Sequence, residues 1–180
     1  RGNCWRTSEL DDTVDLLTRA GLHATEPPGA TWSPVDAPPV GWITQEDGRI
    51  ALGAAVPLGV LQARTAEFVA AITAPVVVTP WRSLLICDLE EGIADTSLRV
   101  LAPLGLIFDE HSPWLSISAC TGSPGCAKSL ADVRSDAATA AESGEPGGRR
   151  HFVGCERACG SPSVGEVLVA TNSGYEPRHP

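Results

Sequence analysis

The sequence predicts an α+β protein, and three observations carry that prediction. Between residues 41 and 110 short β-branched and apolar runs alternate with two amphipathic segments of helix length. Between residues 111 and 180 three more strand-like runs flank one further helix. Prolines and glycines punctuate the changes of period. With 180 residues, 43% of them hydrophobic, the chain is long enough to bury a substantial core as one medium or two small domains. No apolar run approaches the roughly 18 residues that would mark a membrane span.

Taken in order, Thr7 to Gly21 reads as a helix, with Ser8 able to cap it, Leu10, Val14 and Leu17 at helical spacing, and Gly21 as a left-handed stop. Five prolines between Glu26 and Pro39 mark a linker, assigned to residues 26–40. Beyond Gly41 the reading is strand Ile50–Val56, helix Leu61–Ile72 ended by Pro75, strand Val76–Thr79 and strand Ser83–Cys87. A helix capped by Asp95 and running to Ala102 follows, then strand Leu106–Phe108. The order β-α-β-β-α-β is that of a ferredoxin-like split βαβ unit, placed at residues 41–110. Residues 111–180 read as an α/β segment. Its strand Leu115–Ser118 leads to Cys120, and a helix from about Lys128 to Ala141 turns Leu130, Val133 and Ala137 inward and Asp132, Arg134 and Asp136 to solvent. Strand Arg150–Val153 leads to Cys155, and strand Val164–Thr171 follows Pro162. A slight internal echo pairs Arg1-Gly2-Asn3 and the Gly21-Leu22 helix end with Trp81-Arg82-Ser83 and the Gly105-Leu106 helix end.

Four cysteines stand at the ends of these strands as C-x5-C (Cys120, Cys126), 28 intervening residues, and C-x3-C (Cys155, Cys159). A cubane iron–sulfur cluster needs one thiolate for each iron, so four cysteines on two converging loops satisfy a [4Fe-4S] cluster. Gly122, Gly125, Gly154 and Gly160 let backbone N–H groups approach its sulfurs, and Lys128 and Arg157 are placed to offset its negative charge. Zinc is the first competing reading, although the five-residue spacing fits its usual knuckles poorly. Disulfides or free thiols are the second, and the sequence excludes neither. Cys87 lies in an apolar run and reads as a small buried hydrophobe, whereas nothing distinguishes a role for Cys4. None of the four histidines has metal-ligand spacing; His151, beside the second cysteine pair, is the one of interest. Arg82, where two strands meet, reads either as a guanidinium aimed at a carboxylate-rich ligand or as a surface arginine lying over Trp81.

Formal charge is −9, from 22 acidic residues against 12 arginines and the single lysine Lys128. No basic stretch extends beyond Arg149-Arg150, so nucleic acid is not an expected partner, and no membrane is expected. Dinucleotide, phosphate-loop and nucleophile-elbow motifs are absent. Clustered cysteine pairs point to a reducing compartment, the cytoplasm. The chain begins at Arg1 and has no methionine, so its N-terminus is expected to be a truncation.

The strings Ser118-Ala119-Cys120-Thr121-Gly122-Ser123-Pro124-Gly125-Cys126, with Ser135-Asp136-Ala137 downstream, and His151-Phe152-Val153-Gly154-Cys155-Glu156-Arg157-Ala158-Cys159-Gly160 resemble the nitrite and sulfite reductase family. They look most like its precorrin-3B synthase branch. Val56-Pro57-Leu58-Gly59 and Thr79-Pro80-Trp81-Arg82 extend the resemblance from about Gly41 to Tyr175. It implies a ferredoxin-like half-domain at 41–110 and a [4Fe-4S] domain at 111–180 with Cys120, Cys126, Cys155 and Cys159 as ligands. Arg82 and Lys128 are then candidates for binding a tetrapyrrole. In the synthase branch the tetrapyrrole is the substrate, precorrin-3A, hydroxylated at C20 by dioxygen with γ-lactone formation in cobalamin biosynthesis; an electron donor, and a mononuclear non-haem iron as a further cofactor, would belong to that reading. In the reductase branch the tetrapyrrole is sirohaem. A non-catalytic [4Fe-4S] electron-transfer module is the third expectation. The resemblance further implies that residues 1–25 are a remnant of a first ferredoxin-like unit and that much of the family's N-terminal half is missing.

Overall fold

The computed structural model of the protein describes residues 13–23, 37–144 and 148–178. The chain forms two units, Arg1–Val35 and Asp36–Pro180. In the first, α1 spans Thr13–Arg19; residues 7–12 of the expected helix, like residues 26–36 of the linker, lie outside the described residues. Gly21 (φ 71°) ends α1 as expected: its N–H donates to Thr18 and that of Leu22 to Leu17, at 3.0 and 2.9 Å. Gly105 (φ 93°) repeats the pattern, with Gly105 bonded to Ala102 and Leu106 to Leu101. The two Gly-Leu ends of the echo are thus one shared helix cap, while its Arg1-Gly2-Asn3 part lies outside the described residues.

The second unit holds two four-stranded sheets. The first is antiparallel, in the order β1 (Gly41–Thr44), β2 (Ile50–Ala55), β4 (Ser83–Leu89), β3 (Val76–Val78). Helices α2 (Ala63–Ala71) and α3 (Glu91–Leu101) complete a ferredoxin-like unit. Leu52, Ala54, Leu84 and Ile86 from the central strands join Val69 of α2, and Ala94 and Leu101 of α3, in one buried core. The small residues of β2 have a different cause. A Cβ at Gly53 would stand 2.4 Å from the Pro39 carbonyl oxygen and 2.9 Å from Val40 Cα, so the chain entering β1 can cross there only because the side chain is absent.

Several expectations are corrected. Asp95 does not cap α3; Glu90 is its N-cap, and Asp95 sits inside the helix in a surface ion pair with Arg99. The last strand of the split unit shrinks to a bridge between Ala55 and Ile107, because the hairpin strand β1 occupies the same edge of β2 over residues 50–53. Strand β4 runs on to Leu89 through a bulge: two steps along β2, Ile50 to Leu52, oppose three along β4, Leu89 to Ile86. Asp88 (φ 62°) takes up the extra residue, and Gln45 secures it by donating to its carboxylate and accepting from its N–H. Cys87, beside the bulge, is half-buried rather than buried, and burial followed by the charge of Asp88 raises its pKa.

The second sheet runs β5 (Ile117–Ala119), β6 (Arg150–Val153), β7 (Glu166–Thr171), β8 (Gly174–Arg178). The first three strands are parallel and β8 is antiparallel. Helix α4 (Val133–Glu142) makes the crossover from β5 to β6, with Val133, Ala137 and Ala141 buried against Ile117 and Phe152. It starts later than expected because Asp132 caps it, accepting from the Ser135 N–H. Leu130 therefore lies before the helix and is 59% exposed instead of inward.

Replacing Gly53 by Ala should cost about 2 kcal/mol in urea unfolding, since the backbone at Pro39 must move. Gly92→Ala in α3, where an added Cβ meets nothing within 4 Å, should be neutral or mildly stabilising in the same measurement.

Candidate functional site

Parallel pairing of β5 and β6 sends both cysteine loops out of the same edge of the second sheet. Ala119 is in register with Phe152, and the Cys120 N–H extends the ladder by donating to the Phe152 carbonyl at 2.9 Å. Three residues later β6 delivers Cys155. The loops then join backbone to backbone, Leu130 N–H donating to the Gly154 carbonyl at 2.8 Å. The Gly154 N–H points the other way and donates to Cys120 Sγ at 3.4 Å. Absence of a side chain at Gly154 permits this contact: a Cβ there would fall 1.7 Å from Ser129 Oγ and 2.6 Å from Ser129 Cβ. Gly122 (φ 68°) packs against Val133 in the same manner, a Cβ meeting Val133 Cγ2 at 2.7 Å.

Cys87, Cys120, Cys126, Cys155 and Cys159 are free thiols, so the disulfide reading fails for them. Cys120, Cys126 and Cys155 are half-buried and Cys159 is exposed. Among the described residues, no three side chains of the His, Cys, Asp or Glu type are gathered tightly enough to hold a metal ion. The donor chemistry fits an iron–sulfur cluster, with four reduced thiols at one sheet edge and a backbone N–H already on one sulfur.

The cations divide between two places. Lys128 and Arg157 line an open groove of about 910 Å³ beside Cys155, together with Arg178 of β8. The sequence did not point to β8, although Asn172-Ser173-Gly174 is a turn signal. Arg178 donates to the Glu156 carbonyl at 2.8 Å and so holds the second cysteine loop from below. Arg82 lines neither this groove nor the smaller apolar cavity around Trp114, Leu58 and Arg134. It closes the turn between β3 and β4 with φ 56°, and its side chain crosses to the second sheet, donating to the Ile117 carbonyl at 3.3 Å. Burial of the head group, then the charge of Arg149, lowers its pKa. Its own carbonyl accepts from Val56 N–H at 2.8 Å, and Gly59 lies against its side chain. The two motifs Val56–Gly59 and Thr79–Arg82, 20 residues apart in sequence, thus meet at one seam between the sheets.

Arg134 also escaped the sequence reading, whereas His151 is the histidine it singled out. Arg134, expected in solvent, is half-buried and donates from Nε to the Cys120 carbonyl at 3.3 Å. Its place one residue beyond buried Val133, at the helix start facing the first loop, is the signal that identifies it. His151 is 3% exposed, with Nδ1 2.8 Å from Ser118 Oγ and Nε2 2.9 Å from the Cys159 carbonyl. Burial lowers its pKa, opposed by the bond to Cys159 and reinforced by Arg82.

No protein-family model matches the chain, and no curated protein does. Among solved structures it is similar to that of the Mycobacterium tuberculosis NirA protein, with a TM-score of 0.61 and 20% sequence identity over 87% of this chain. The match covers 32% of the NirA chain, so this chain spans about a third of that protein's length. At this identity the likeness is one of fold. No helix among the described residues is long and apolar enough to cross a membrane.

Gly154→Ala should destabilise the protein by about 1–3 kcal/mol through collision with Ser129. Ser129→Gly in the same chain removes the colliding atoms and should restore part of that loss in a double-mutant cycle of chemical denaturation.

Proposed function

We propose that this chain is an iron–sulfur oxidoreductase module of the nitrite and sulfite reductase type, with a [4Fe-4S] cluster held by Cys120, Cys126, Cys155 and Cys159. The observation that carries the reading is the exit of both cysteine loops from adjacent parallel strands, joined where Gly154 N–H meets Cys120 Sγ. A cluster bound there supplies single electrons, chemistry that side chains lack. The chain's own residues prepare for it. Gly154 N–H stabilises negative sulfur, Arg134 holds the Cys120 backbone, and Lys128, Arg157 and Arg178 bring positive charge to the groove beside Cys155. The similarity of fold to the NirA protein supports this type of module.

Within the type, the flanking strings favour the precorrin-3B synthase branch. The substrate is then precorrin-3A, hydroxylated at C20 with γ-lactone formation at the expense of dioxygen, with electrons from a separate donor. The groove cations, Lys128 first, are suited to the carboxylates of such a macrocycle, while Arg82 serves the seam that fixes the cluster sheet against the ferredoxin-like sheet. Sirohaem as a bound cofactor is the second reading, which follows from the resemblance of the cysteine strings to the reductase branch.

Anaerobic purification followed by iron and acid-labile sulfide analysis tests the proposal. About four of each per chain are expected, falling by about tenfold or more in Cys155→Ser. Near-stoichiometric zinc without sulfide overturns it. Visible absorption separates the branches, since only the second adds sirohaem bands to the broad absorption of the cluster.

A further inference from the structure

Cys120 and Cys155 take their positions from the β5–β6 ladder, one extending it and the other following directly from it. Cys159 lies beyond both, outside any helix or strand and after Ala158 in a left-handed conformation (φ 49°). We propose that His151 is the positioning residue that sets Cys159 relative to the other three thiols, and that Ser118 in turn orients His151. The proposal rests on the cluster reading above and names a residue of this chain that touches no metal.

The hydrogen bonds fix their own direction. A carbonyl oxygen only accepts, so His151 Nε2 carries a proton and donates it to Cys159. In a neutral ring Nδ1 is then the acceptor, and the Ser118 hydroxyl donates to it across 2.8 Å. Ser118 belongs to β5, two residues before Cys120; His151 belongs to β6, four before Cys155; and Cys159 ends the second motif. A single imidazole therefore connects the strand that leads to the first loop with the far end of the second. The chain leaves room for this ring, since a Cβ at Gly160, itself left-handed (φ 79°), would stand 3.6 Å from His151 Cε1. Four thiols bound to one cluster must share a common centre, and Cys159, like Cys126, lies in no helix or strand that would carry it there. Outer-shell partners of this kind are worth about 10- to 100-fold in metal affinity.

Four proteins decide the matter: wild type, His151→Gln, which keeps an N–H donor of similar reach, His151→Phe, which keeps a ring without a donor, and Ser118→Ala. In the metal-free chain, iodoacetamide labelling resolved cysteine by cysteine by mass spectrometry should show a changed rate at Cys159 in His151→Phe, a smaller change in Ser118→Ala, and a rate near wild type in His151→Gln. Cys126 should be unaffected throughout. After anaerobic reconstitution, His151→Phe should retain iron and sulfide about 10-fold less tightly against a chelator, with His151→Gln restoring most of the loss. Equal Cys159 labelling in wild type and His151→Phe overturns the proposal. If His151→Phe fails to fold by circular dichroism, Ser118→Ala decides, and a Cys159 rate unchanged from wild type overturns it again. Wild-type chain that takes up no iron and sulfide defeats the cluster reading alone, and the labelling pattern still decides the role of His151.

Discussion

Parallel pairing of β5 with β6 is the constraint on which the candidate site depends. Parallel neighbours end at the same edge of a sheet, so a cysteine placed just past each strand arrives beside the other with no need for a long ordered loop. The crossover that parallel pairing demands is α4, whose buried alanines and Val133 let it lie close over Ile117 and Phe152. That helix also places Arg134 where it holds the Cys120 carbonyl. Fold and site are accordingly two consequences of one pairing.

A second dependence runs through the seam. Arg82 sits in a left-handed turn that non-glycine residues seldom adopt, and its contacts compensate for the strain: its carbonyl binds Val56, its stem packs on Gly59, and its guanidinium reaches Ile117. Ile117 begins the strand that ends at the first cysteine loop. The ferredoxin-like unit is thereby joined to the cysteine-bearing sheet, which gives the two motifs around Val56 and Arg82 a shared structural purpose. Arg82 as a direct ligand contact and Arg82 as a seam residue are different roles, and its bond to Ile117 supports the second.

Each cysteine is supported by different means. Cys120 is held on three sides, by the ladder, Arg134 and the Gly154 N–H. Cys159 is exposed and attached to the sheet through His151. A cluster is bound only when every thiol is in place, so the least supported corner governs how readily the site assembles. The open groove beside Cys155 sets three cations, Lys128, Arg157 and Arg178, against Glu156 and Glu176.

The sequence by itself determined the four cysteines and most of the elements from β2 to β7, because periodicity, prolines and Gly-Leu helix ends are local signals. Strand β6 was legible to the residue, and β2, α2 and β3 to within a residue or two at most ends. It did not reveal β1 or β8, since each is a short hairpin strand whose identity comes from a partner strand and not from its own composition. Asp95 and Leu130 were misread for a related reason: the capping residue of each helix, Glu90 and Asp132, lies several places from the expected start, which puts Asp95 inside its helix and Leu130 outside. Only the tertiary structure decided that Arg82 reaches Ile117, that Arg134 turns in to Cys120, and that His151 spans from Ser118 to Cys159. Those contacts join residues 35, 14, 33 and 8 positions apart. A residue's type states which hydrogen bonds it can make; strand register and helix packing decide which partner comes within reach.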